Sequence, residues 1–141
     1  MLRPLSLLLL RLGTGLLLIL WGGLRLTMPE AGPGLADKYY GGLASASTVQ
    51  VGFGALEVAL GLLVALGLWR RVAYPAQAVL LILATLMIGK YLLDPLGMWL
   101  LDKEDAQILF FPSITLAAAS LVLVAFRAED GWSLDSRLRR G

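Results

Sequence analysis

The chain contains no cysteine and no histidine. Disulfides, thiol redox chemistry, Cys/His metal sites and haem ligation through either side chain are therefore excluded. Charge is scarce too: 16% of the 141 residues are Asp, Glu, Lys or Arg, against about 25% in soluble domains. Nucleotide fingerprints are missing. Gly13-Thr14-Gly15 lies inside an apolar run and Gly32-Pro33-Gly34 in a loop, neither with the strand–turn–helix setting such a motif needs. Ser113 and Ser120 have no histidine to activate them. The net charge of +2 carries no nucleic-acid reading, because the basic residues sit between apolar runs.

What is present is apolar length. Hydrophobic residues make up 58% of the chain, and the mean hydropathy is +0.79. A membrane-spanning helix takes roughly 20 apolar residues. Four runs of about that length predict helices over 5–28, 48–69, 72–93 and 106–126, followed by a polar tail over 127–141. The expected fold is all-α, a single transmembrane bundle of four antiparallel helices whose partner is the lipid bilayer. Arg3 and the leucines after it resemble a signal peptide, but the small-residue stretch Ala44-Ser45-Ala46 is too far downstream for a cleavage site. The run reads as an uncleaved first helix. Pro29 to Ser47 reads as a loop with a short helical piece near Leu35 to Tyr40. Arg70-Arg71 is a two-residue break that makes the second and third helices a tight hairpin, and Pro95 stops the third. Pro112 is expected as a kink inside the fourth helix. Trp21, Trp69, Trp99 and Trp132 read as anchors at the water–lipid boundary.

Four crossings put both ends on one side. That side carries Arg3, Arg11, Arg70, Arg71, Arg127, Arg137, Arg139 and Arg140. The opposite side has Lys38 and Lys103 with Glu30, Asp37, Asp94, Asp102, Glu104 and Asp105, while Arg25 and Lys90 lie at its membrane edge. The positive-inside rule then predicts both termini in the cytoplasm.

Ionisable residues within spanning helices mark function or helix-to-helix contacts. Glu57 lies roughly 13 Å into the second helix, at 1.5 Å per residue, too deep for a carboxylate to reach the headgroups. It shares a stripe with Gln50, Gly54, Gly61 and Ala65, at spacings of three and four. The small residues there allow another helix to approach closely. Arg25 and Lys90 fall in the same outer half, so either can pair with Glu57. Gln50, Tyr91 and Trp21 are expected around the same pocket, with Asp94 one turn beyond Lys90. The plain alternative is that Arg25 and Lys90 only snorkel to the headgroups and that Glu57 only bonds one helix to another. No metal site is expected, and the acidic run Asp102, Glu104, Asp105 reads as a solvated loop.

Three stretches together resemble the DoxX family of small bacterial membrane proteins. They are Arg11-Leu-Gly-Thr-Gly15 through Trp21-Gly-Gly-Leu-Arg25, Gly54-Ala-Leu-Glu57-Val-Ala-Leu-Gly61 through Arg70, and Gly131-Trp-Ser-Leu-Asp135. The resemblance implies a four-helix bundle like that of vitamin K epoxide reductase and its relatives, and a link to redox assemblies such as a thiosulfate:quinone oxidoreductase. Without cysteine, the dithiol chemistry of those relatives is not available here. The expected function is a non-catalytic accessory subunit of a larger redox-linked membrane complex, respiratory or photosynthetic, in contact with other membrane subunits or with copies of itself. The alternative is a quinone- or lipid-binding oxidoreductase subunit using Glu57, Arg25 and Lys90. A small transporter is a third reading, which needs oligomerisation to build a pore. No covalent cofactor is expected; the ligand, if any, is a quinone or a lipid.

Overall fold

The computed structural model describes residues 2–28, 31–39, 41 and 47–138. Pro29, Glu30, Tyr40, the Ala44-Ser45-Ala46 stretch, Arg139 and Arg140 lie outside them. The described residues are 78% helical, and no strand occurs among them. Helix α1 spans Leu2–Thr27, α2 Ala31–Tyr39, α3 Ser47–Leu66, α4 Arg70–Met87, α5 Gly89–Leu93, α6 Ser113–Ala125 and α7 Leu134–Leu138. Single 3-10 turns lie at Ile108–Phe110 and Arg127–Glu129. Among the described residues, three stretches are helical, long and apolar enough to cross a membrane: Leu2–Thr27, Thr48–Leu66 and Ile108–Ala125.

Close glycine contacts set the pairing of α1 with α3. A Cβ on Gly15 would lie 2.7 Å from the Gly61 carbonyl oxygen, and one on Gly22 would lie 2.5 Å from that of Gly54. As the number rises along α1 it falls along α3, so the two helices run antiparallel with their backbones in direct contact. The stripe of small residues on α3 therefore faces α1. Gly67 turns the chain after α3 at φ 68°, a left-handed conformation that glycine adopts without a Cβ clash. Trp69 follows at φ 48°, and α4 returns along α3. Leu7, Leu18, Val64, Tyr74 and Leu123 bring α1, α3, α4 and α6 together in one buried cluster. The outer surface stays apolar, with Leu9, Leu20, Leu62, Val79, Leu83 and Leu121 all exposed.

Three boundaries differ from the sequence reading. The hairpin break expected at Arg70-Arg71 falls at residues 67–69, because α3 ends at Leu66 and both arginines belong to α4. The helix expected over 72–93 starts at Arg70 and breaks at Ile88, before Gly89, a residue that weakens any helix it occupies by about 1 kcal/mol. The helix expected over 106–126 starts only at Ser113, so Pro112 precedes it and does not kink it. Proline has no N–H to donate, and its ring would clash with the carbonyl four residues back, so it begins helices more readily than it continues them.

The polar tail also differs from a solvated extension. It folds back under the hairpin, and Asp135 accepts the backbone N–H of Trp69 at 3.1 Å and of Arg70 at 2.9 Å. These are donors of the first turn of α4, which Trp69 cannot cap with its own side chain. Burial alone would raise the Asp135 pKa. The two N–H bonds and the Arg70 charge, 3.5 Å away, outweigh it and hold the carboxyl below its ordinary value.

Candidate functional site

Arg25 leaves α1 one turn beyond Gly22, where α1 and α3 pack too closely to admit a Cβ. It reaches across the seam to two buried groups of α3. Its Nη1 donates to Glu57 Oε2, and its Nε donates to Gln50 Oε1 at 3.0 Å. Glu57 is 4% exposed and Gln50 5%. The guanidinium also lies 5.0 Å from the ring centre of Phe53 and 5.9 Å from that of Trp21, within range of cation–π attraction. Positive and negative charge balance within the cluster.

The pair forms one wall of a cavity of about 160 Å³. Leu17, Leu18 and Trp21 contribute from α1, Leu80, Leu81, Ala84 and Thr85 from α4, and Ser113 and Leu116 from α6. Tyr39 and Phe110 also line it. These two rings meet each other and Tyr91 edge to face, with centroids 4.9 to 5.5 Å apart. Thr85 and Ser113 are themselves linked, the threonine hydroxyl donating to the Ser113 carbonyl at 3.2 Å. The result is a mostly apolar chamber with a charge-balanced polar wall and an aromatic cluster beside it.

Of the residues expected at this site, Arg25, Glu57 and Gln50 meet directly, Trp21 lines the cavity, and Tyr91 packs against two of its rings. Lys90 is not part of the cluster. The break at Ile88 turns it outward, where its ammonium lies 4.8 Å from the Tyr91 ring centre, and Glu57 has Arg25 as its partner instead. Asp94 is not part of it either. Its side chain accepts the N–H groups of Met98, Trp99, Leu100 and Leu101 at 2.7 to 3.0 Å and shapes the loop after α5. Burial would raise its pKa, but the four N–H bonds dominate and hold it well below the usual carboxylate range. A carboxyl whose folded pKa is depressed stabilises above its unfolded pKa, and that contribution disappears as pH falls through the folded value. Asp94 and Asp135 therefore stabilise at neutral pH and lose this effect only at the acid end, starting near pH 4. An Asp94→Ala variant should speed amide hydrogen exchange at residues 98–101 severalfold at pH 7 and leave α1 and α3 unchanged. Unaltered exchange in that loop would contradict the assigned role.

A second polar cluster, at the end carrying both termini, was not expected. Asp130 is fully buried, and Arg11 is 4% exposed. Arg11 Nη1 donates to Asp130 Oδ2 at 3.3 Å and its Nη2 to the Trp132 carbonyl at 3.0 Å. Tyr74 Oη donates to the same carboxylate oxygen at 2.5 Å. Arg70 donates to the carbonyls of Arg127 and Asp130 at 2.8 and 2.9 Å. Arg11, counted from sequence among the charges on the side of the termini, is thus an interior residue with a carboxylate partner. A signal for this was present in the sequence. Arg11, Thr14 and Leu18 share one face of α1, and Arg70, Tyr74 and Gln77 share one face of α4, so each helix points polar groups inward at the same end.

Among the described residues, no group of three or more Asp, Glu, His or Cys is arranged to hold a metal ion. No family model matches this chain, and neither does any curated protein or solved structure.

Proposed function

We propose that the chain is a multipass protein of a bacterial inner membrane that holds the ring of a quinone-class lipid for a larger redox-linked complex. The observation that carries this reading is the chamber of about 160 Å³ with the Arg25–Glu57 pair in its wall. An apolar cavity of about 150 Å³ accepts a benzene-sized ring, so one six-membered ring fits. Glu57 balances the Arg25 charge, which favours a neutral head with carbonyl acceptors over an anionic phosphate. Gln50 and Glu57 engage Nε and Nη1 of Arg25. Its Nη2 serves neither and is the donor assigned to a ring carbonyl. With no cysteine or histidine in the chain, the electrons belong to a partner subunit. This chain's part is to bind and orient the ring. The resemblance to DoxX proteins supports the redox context.

Four crossings are proposed, α4 being the fourth. Arg70 and Arg71 at its start lower its average hydropathy, but its outward residues Val72, Val79, Leu83 and Leu86 are 55 to 69% exposed and all apolar, as contact with hydrocarbon requires. Arg3, Arg70, Arg71, Arg127 and Arg137 then lie on the side of the termini, and the acidic residues Asp102, Glu104 and Asp105 opposite. The positive-inside rule places the termini in the cytoplasm. Arg11 and Arg70 no longer count towards this bias, since both are buried and bonded in the interior, so Arg3, Arg71, Arg127 and Arg137 carry it.

Trp21 lines the cavity, so a bound quinone should quench its fluorescence. With the full chain in lipid nanodiscs, a short-tailed benzoquinone is expected to give saturable quenching that Trp21→Phe removes. Arg25→Lys keeps a charge beside Glu57 but loses the planar fork of donors. It should weaken binding about tenfold, equivalent to about 1.4 kcal/mol. Quenching that never saturates in the unaltered protein would rule the reading out.

A further inference from the structure

The polar cluster at the end carrying both termini contains more hydrogen-bonding groups than it uses. Asp130 Oδ2 accepts from Arg11 and Tyr74, but Asp130 Oδ1 has no partner. Arg11 Nε has none, and neither the oxygen nor the nitrogen of the Gln77 amide has one. All three residues are at least nine-tenths buried, Gln77 and Asp130 completely. Buried polar atoms are almost always satisfied, by protein or by ordered water, because an unmade bond in a low-dielectric interior is costly.

Arg11 and Tyr74 meet at Asp130, and Gln77 lies one turn along α4 from Tyr74, on the same face. Side chains on a helix lean towards its N-terminus. Gln77 therefore reaches back over the turn that carries Ala73 and Tyr74, towards the end of α4 where Tyr74 meets Asp130. Arg11 approaches the same carboxylate from α1. Arg70 Nε is also unbonded, but it faces Asp135 Oδ2 at 3.5 Å. The remaining set holds both donors and acceptors, namely Arg11 Nε and Gln77 Nε2 as donors and Gln77 Oε1 and Asp130 Oδ1 as acceptors. A metal cation would leave the donors unmet and would be repelled by Arg11. An anion would meet Asp130. Water is the ligand that both donates and accepts, and an internal water makes two to four such bonds.

We propose that this end of the protein holds an internal water site, one or two molecules bound by Asp130 Oδ1, Arg11 Nε and the Gln77 amide. The site is separate from the Arg25–Glu57 chamber, and it stands or falls independently of the quinone reading. Its consequence is a continuous hydrogen-bonded chain from Asp130 and Tyr74 to Gln77, extending the polar network one turn further into α4.

X-ray radiolysis of the full chain in nanodiscs tests it, because hydroxyl radicals form on bound internal water and label the side chains beside it. Tyr74 is fully buried and Tyr91 is 4% exposed, packed among aromatic rings. Tyr74 should be labelled at least threefold faster than Tyr91, and Gln77→Leu should lower the Tyr74 rate by half or more. Leucine should also lower the midpoint of thermal unfolding, since it removes a water ligand and leaves Asp130 Oδ1 unmet. Equal labelling of the two tyrosines overturns the proposal. So does a rise in the unfolding midpoint of Gln77→Leu, the result expected when an apolar side chain replaces a dry, unbonded amide.

Discussion

Replacing Asp130 with alanine is expected to be the most destabilising single polar substitution in the chain, by about 3–5 kcal/mol. The carboxylate is fully buried and receives both Arg11 and Tyr74. Removing it leaves a guanidinium with 5% side-chain exposure and no other ion-pair partner among the described residues, and breaking a buried pair from one side is far more harmful than removing both partners. The carbonyl of residue 130 still accepts Arg70, Ser133 and Ser136, so the backbone of the tail should remain docked while the interior charge is exposed. A double variant, Arg11→Leu with Asp130→Leu, should recover much of the loss, because no lone charge remains. Unfolding of the single and double variants in detergent measures both values, and their difference gives the coupling of the pair. A loss below about 1 kcal/mol for Asp130→Ala would mean that Arg11 escapes to water and that the pair is not structural.

The contrast between the two polar clusters shows which features a sequence of this type discloses. Glu57 was legible because a carboxylate deep in an apolar run has few physical options, and because glycines at helical spacing on its face mark an approaching neighbour. Arg25 followed from depth alone, since α1 and α3 run antiparallel and their charged residues fall at one level. Lys90 shares that depth but not the cluster. Its direction depends on the break at Ile88, and a single glycine in a long apolar run is too weak a signal to place such a break. Asp94 was read as part of the site for its charge, yet its role depends on four N–H groups of residues that follow it, a loop geometry without a linear pattern. The tail was the largest surprise. The segment after the last apolar run reads only as a polar tail, and nothing local says that Asp130 inserts beside a residue 119 positions earlier or that Asp135 caps a helix 65 positions earlier. The inward polar faces of α1 and α4 pointed to a buried partner without naming it.

The second large effect is expected along the α1–α3 seam, where the fold and the candidate site depend on the same glycines. A Cβ at residue 54 would lie 2.8 Å from the Gly22 carbonyl oxygen and 2.9 Å from Arg25 Cβ, and one at residue 61 would lie 2.6 Å from the Gly15 carbonyl oxygen. The obstructing atoms are largely backbone, so no rotamer change relieves them and the helices must separate. Gly54→Val is expected to cost about 3 kcal/mol, the upper end of the range for overpacking, with Gly54→Ala intermediate. Gly52, two residues away on the same helix, has open space where its Cβ would be. Gly52→Val therefore carries the same change in side chain without the clash, and should stay within about 0.5 kcal/mol of the unaltered protein. Stability is only half of the expected result. Separation of the seam at Gly54 moves Arg25 away from Glu57 and Gln50 and opens the wall of the chamber, so saturable quenching of Trp21 by a quinone should be lost in Gly54→Val and kept in Gly52→Val. Gly61→Val acts about two turns from the Gly54 contact and one turn beyond Glu57, away from Arg25, and should destabilise to a similar degree while retaining measurable binding at low temperature, where the bundle is still folded. If Gly54→Val and Gly61→Val instead lose binding in strict proportion to their loss of folded protein, the seam supports the fold alone and Arg25 is not held in place by it.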